Sequence, residues 1–104
     1  MGLTWIYQAL GVESASPLWL SALRIGDWGR ILLLEGDCGE IRFTLIFSDC
    51  REQRWRSYAH EQAVESNRLV DFAPGRDQQR APAQLLSEHF GLSVWYGTLE
   101  VRRR

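Results

Sequence analysis

Arg51, Arg54, Arg56, Tyr58 and His60 crowd into one short stretch, and their types and spacing suit recognition chemistry better than any others in the chain. In an extended strand alternate side chains share a face, so Arg54, Arg56 and Tyr58 are predicted to stand side by side. Guanidinium groups in such a row can fork onto carboxylates or pair with phosphates, while a neighbouring ring stacks on a base. Two partner classes follow: an acidic protein segment, or RNA and other single-stranded nucleic acid. The plainer alternative is a solvated strand face whose arginines pair with acids such as Glu52, an arrangement that contributes only about 0–1 kcal/mol per pair.

A second candidate is the polar run Gly75-Arg76-Asp77-Gln78-Gln79-Arg80, placed just before a predicted helix. Helix N-termini attract anions, and Arg76 and Arg80 would add positive charge there. An ordinary loop and cap would use the same residues, and the run lacks the GxxxxGK[ST] pattern of a phosphate-binding loop. Catalysis has less to stand on. Cys50 beside Asp49, with His60 or His89 elsewhere, supplies the types for a thiol nucleophile and its base, but no local motif joins them. His89, near the end of the predicted helix, reads better as a partner of the helix dipole than as a general base. The two histidines and two cysteines have no metal-ligand spacing, so neither a catalytic residue, a cofactor nor a metal is assigned.

Composition sets the frame for these candidates. The chain has 104 residues, 45% hydrophobic and 24% charged, which suits one folded domain with a short basic tail, Arg102-Arg103-Arg104. Net charge is -1, but residues 1–50 carry three arginines against six acids and residues 51–104 nine against seven. All twelve basic residues are arginine, which favours planar, bidentate and stacked contacts, although a genomic bias toward arginine codons would look the same. Cys38 and Cys50 are expected to lie too far apart along extended chain for a disulfide, which fits a reducing cytoplasm. The longest aliphatic run, Ile31 to Leu34, is too short to span a membrane, and the N-terminus does not read as a signal peptide.

The elements that must position the arginines are mostly strands. Trp5, Tyr7 and Ala9 alternate with Thr4, Ile6 and Gln8, predicting a first strand apolar on both faces. Leu18 to Ile25 fits strand or helix and is read as strand because the turn residues Gly26, Asp27 and Gly29 follow. Arg30 to Glu35 and Glu40 to Ser48 flank Gly36-Asp37-Cys38-Gly39 as a β-hairpin, with Ile41, Phe43, Leu45 and Phe47 facing the core. Gln53 to Ala59 is the next strand, its Trp55, Ser57 and Ala59 opposite the arginines. Residues 60–66 read as loop, Asn67 to Phe72 as a short strand, and residues 73–81 as a polar loop. Pro82 to Phe90 is predicted as the helix, opened by Pro82, striped by Leu85, Leu86 and Phe90, and closed by Gly91. Leu92 to Val101 is the last strand, apolar on both faces and therefore expected at the centre of its sheet. Trp55 and Trp95 fall in core phase, whereas Trp5, Trp19 and Trp28 are not placed by phase.

This order predicts an α+β domain: a curled, mainly antiparallel sheet or partial barrel of about five to seven strands, with one helix in the C-terminal half followed by a last strand. Leu69-Val70-Asp71-Phe72, Gly75-Arg76, Arg80-Ala81-Pro82-Ala83-Gln84-Leu85-Leu86 and His89-Phe90-Gly91-Leu92-Ser93, with Phe43-Thr44-Leu45-Ile46-Phe47 and Asp49-Cys50-Arg51-Glu52, resemble a small uncharacterised protein family of cyanobacteria. The resemblance covers about half the chain and implies a cytoplasmic or thylakoid-associated setting, with no activity or ligand attached. The expectation drawn from the residues is a non-enzymatic protein-interaction or assembly module, with self-association through a sheet edge as one form of it. RNA binding on the same face is the alternative.

Overall fold

Alternation of buried and exposed side chains builds most of the molecule. The computed structural model describes residues 2–12, 16–57, 67–75 and 81–103. Along β2 (Ile31–Cys38) the buried positions are Leu32, Leu34, Gly36 and Cys38, and along β3 (Ile41–Ser48) Phe43, Leu45 and Phe47 face the same way. The two strands pair as the expected hairpin, with β2 continuing through Cys38 and only Gly39 and Glu40 left for the turn. β1 (Leu18–Gly26) pairs with β2 as well, which resolves its ambiguity in favour of strand. Among the described residues eight strands form two antiparallel sheets, ordered β1-β2-β3-β8 and β4-β7-β6-β5, where β4 is Glu52–Ser57, β5 Leu69–Ala73, β6 Ala83–Ser87, β7 Phe90–Trp95 and β8 Thr98–Arg103.

Two bent strand pairs connect the sheets. β3 runs into β4 and β7 into β8 at a shared corner, and the ladder continues through it: Arg51 N–H donates to Trp95 O at 2.7 Å and Gly97 N–H to Ser48 O at 3.0 Å. Residues 49–51 face only residues 96 and 97 there, so one strand carries an extra residue. That bulge, with Asp49 at φ 54°, turns both strands from one sheet to the other. At the far side β1 meets the start of β5 through a bridge between Trp19 and Arg68 and the Leu20 N–H to Asn67 O bond of 2.8 Å. The sheets do not close into a barrel.

Between them lies the core. Leu32, Leu34, Phe43, Leu45 and Phe47 from the first sheet meet Leu69, Phe72, Leu85, Leu92 and Val94 from the second, with Phe47 5.2 Å from the Tyr96 ring and 6.4 Å from Phe72. Each such aliphatic or aromatic side chain contributes roughly 1.5–3 kcal/mol by leaving water.

Four sequence expectations are corrected. The first predicted strand is a helix, α1 (Thr4–Leu10), because Ile6 and Leu10, four apart, give it a buried stripe that the core can use. Gly11 at φ 71° ends it, with its N–H on Gln8 O and the Val12 N–H on Tyr7 O. α1 packs against β8 and β5, with Trp5 5.5 Å from Phe72 and Arg103 Nη1 donating to Leu10 O at 2.8 Å. Arg102 and Arg103 therefore belong to β8 rather than to a solvated tail.

The predicted helix Pro82–Phe90 is instead β6, a turn and the start of β7. Ala83, Leu85 and Ser87 are buried and Gln84 and Leu86 exposed, a strand period that the adjacent leucines disguise. Ser87 makes the turn: its Oγ accepts the His89 and Phe90 N–H groups at 3.2 and 3.0 Å. His89 thus sits in a β-turn, with no helix dipole beside it. The fourth correction concerns Leu92 to Val101, which is two strands split at Tyr96-Gly97. β7 is central in its sheet, as expected, but β8 is an edge.

Candidate functional site: an arginine-walled trough

β4 lies at the edge of the second sheet, and its alternation is as predicted: Arg54 and Arg56 point to the outer face and Trp55 to the opposite side. Registers across the sheet set what stands beside them. One row reads Arg54, Ser93, Gln84, Ala73 and the next Arg56, Gly91, Leu86, Asp71, each residue directly opposite its neighbour. Gly91 and Ser93 are small, so β7 forms the floor of a trough between an arginine wall and a Gln84/Leu86 wall. The depression measures about 580 Å³.

The two arginines differ. The Arg54 guanidinium lies 5.1 Å from the centroid of the Trp95 ring and pairs with Glu52 through Nε. That stacking fixes it over the end of β7. Arg56 has no carboxylate partner among the described residues, and both arginines are exposed. Leu86, 38% exposed, gives the trough an apolar lip, and the carboxylate of Asp71 stands at its far end.

Of the other predicted site residues only Arg51 is described, and it is not brought here. Arg51 is at the sheet corner, where Asp49 Oδ1 is 4.0 Å from its Nε and 3.7 Å from Arg30 Nη2. Tyr58, His60, Arg76 and Arg80 lie outside the described residues. The helix N-terminus that Arg76 and Arg80 were to serve does not exist, because Ala83–Ser87 is a strand. Gly91, Ser93, Gln84, Leu86 and Asp71 went unnoticed for the same reason: a helix over Pro82–Phe90 places none of them beside an arginine.

The tryptophans are corrected too. Trp55 is 44% exposed, touching Phe90 at 5.4 Å, because an edge strand carries its inner phase beyond the opposing sheet. Trp95 is half-buried on the outer face, under Arg54.

Cys38 and Cys50 are free and buried, as the chain distance implied for a missing disulfide. Burial pushes both thiols above their ordinary pKa, and for Cys50 the nearby Asp49 charge adds to the rise while a backbone hydrogen bond from Leu32 opposes it. A nucleophile needs the reverse shift. Alkylation of both thiols is therefore expected to be slow in the native protein and rapid after unfolding. Labelling of Cys50 in native buffer at the rate of a small free thiol would contradict this environment.

Among the described residues no group of three or more His, Cys, Asp or Glu could hold a metal ion, and no helix is long and apolar enough to cross a membrane. No protein-family model matches the chain, and no curated protein matches its sequence, so the trough's own geometry is what bears on function.

Proposed function

We propose that this chain is a non-enzymatic protein-interaction module, working in a reducing cytoplasm, whose partner-binding surface is the Arg54/Arg56 trough. The observation that carries the reading is the pair of rows across the second sheet: two guanidinium groups on one wall, a floor of Gly91 and Ser93, and Leu86 opposite. Arg54 and Arg56 are two residues apart on one strand, a separation of about 6.6 Å. Alternate carboxylates of an extended acidic segment repeat at the same distance, and each can accept forked hydrogen bonds. Leu86 gives such a segment an apolar contact.

Nucleic acid fits this surface less well. Stacking binders need a free ring beside their cations, and Trp95 is already covered by the Arg54 guanidinium. A pulldown of the tagged protein from lysate of its own source, with and without ribonuclease, tests the reading. Nuclease-resistant proteins should be captured, and Arg54→Ala with Arg56→Ala should reduce their recovery at least tenfold, as loss of interfacial arginines commonly does. Unchanged capture by the double variant overturns the assignment. Recovery of RNA that depends on both arginines, falling steeply with salt, replaces it with the nucleic-acid alternative.

A further inference from the structure

The β1–β2 hairpin ends in Asp27-Trp28-Gly29, and Trp28 there is 102% exposed, its side chain standing out into solvent. Its backbone is left-handed, φ 57° and ψ 31°, a conformation that suits glycine or asparagine and disfavours a bulky aromatic residue. Asp27, beside it at φ 49°, has no ion-pair partner among the described residues. Ile25, 54% exposed, and Leu23, 37% exposed, continue the apolar surface down the hairpin. Nothing within the fold gains from a tryptophan at this tip.

The trough supplies what the tip lacks. Its floor is small enough to admit an indole, Leu86 offers an apolar wall, Arg54 and Arg56 offer guanidinium groups that stack on indole faces, and Arg56 is a cation without a carboxylate among the described residues. Asp27 beside Trp28 is the matching anion. Tip and trough also flank one strand: Gln53 of β4 holds the tip through a 3.1 Å hydrogen bond from its Nε2 to Gly29 O, while the next residue, Arg54, opens the trough.

We infer that the chain self-associates by inserting Trp28 of one copy into the Arg54/Arg56 trough of a second, with Asp27 paired to Arg56. Because both features adjoin β4, a two-fold axis beside that strand lets two copies exchange tips, giving a closed dimer instead of an open fibre. This rests on the trough being a protein-binding surface and names a second copy as its occupant.

Sedimentation velocity over concentrations on the order of 1 to 500 μM tests it, a range that brackets weak and moderate dimers. The wild-type chain should move from 12.0 kDa toward twice that mass. Trp28→Gly suits the left-handed backbone, so its thermal stability should equal or exceed the wild type while dimerisation weakens at least tenfold. Arg54→Ala with Arg56→Ala should do the same from the other side. Mixing these two variants leaves one intact tip and one intact trough, so mixed dimers should form where neither variant dimerises alone.

A wild-type chain that stays at 12.0 kDa throughout, a Trp28→Gly chain that dimerises as strongly as wild type, or failure of the mixture to associate overturns the inference. A monomer that still captures lysate proteins through Arg54 and Arg56 removes the dimer alone and leaves the interaction module standing.

Discussion

Replacing Gly36 with alanine is expected to destabilise the protein by about 3 kcal/mol, the upper end of the usual cost of overpacking. Gly36 lies in the middle of β2, paired with Leu20 on one side and Phe43 on the other. A Cβ there would come within 2.4 Å of Trp19 O and 2.7 Å of Phe43 Cζ. Neither neighbour can yield easily. The carbonyl belongs to a strand held on both sides, through β2 and through the Trp19–Arg68 bridge, and the Phe43 ring is 1% exposed in the core. Denaturant unfolding measures the loss. Adding Phe43→Leu to Gly36→Ala should recover part of it, because the shorter side chain vacates the ring position but leaves the carbonyl in place. A loss below about 0.5 kcal/mol would mean that the chain does not pass this close at the site.

Phe47→Ala is expected to cost about 3–5 kcal/mol, the range for truncating a buried phenylalanine. Phe47 is 1% exposed at the end of β3, just before the corner, where it packs on Phe72 of the opposite sheet and on Tyr96 after β7. Tyr96 in turn donates its hydroxyl to Pro74 O, and burial raises the pKa of that phenol. Removing the ring thus leaves a cavity where three separate segments meet. Phe47→Leu keeps much of the volume and should cost clearly less. Equal losses for Leu and Ala would show that aromatic edge contacts, rather than the filled volume, set the stability here. Since folded domains have only about 5–15 kcal/mol in hand, the alanine variant should be marginal at 25 °C. Neither Gly36 nor Phe47 touches the trough, so any loss of partner capture in these variants should follow the unfolded fraction.

The hairpin β2–β3 and the two-faced pattern of β4 are legible in the residues themselves. Both depend on alternation within one segment and on turn residues next to it, as with Phe43, Leu45 and Phe47 on one face and Arg54 and Arg56 on another. Errors arise where two periods fit the same residues. In Thr4 to Leu10, alternate aromatics suggest a strand while Ile6 and Leu10 sit at helical spacing, and packing against β5 and β8 selects the helix. In Ala83 to Ser87, Leu85 and Leu86 resemble a helical stripe with a favourable Pro82 and Gly91 at its ends. The neighbouring strands β5 and β7 supply a sheet into which this segment fits, and that outweighs a local propensity of a few tenths of a kcal/mol per residue.

By itself, then, the sequence determined which side chains share a face: the apolar inner rows of β2 and β3 and the arginine row of β4. Periodicity carries that information because a strand turns each successive residue over. Only the tertiary structure decided what lies opposite or on top of those faces. Trp55 has core phase yet emerges at an edge, Trp95 ends beneath Arg54, and the trough exists because Arg56, Gly91, Leu86 and Asp71 align across four strands. That alignment is a matter of register between segments distant in the chain, and no local pattern encodes it.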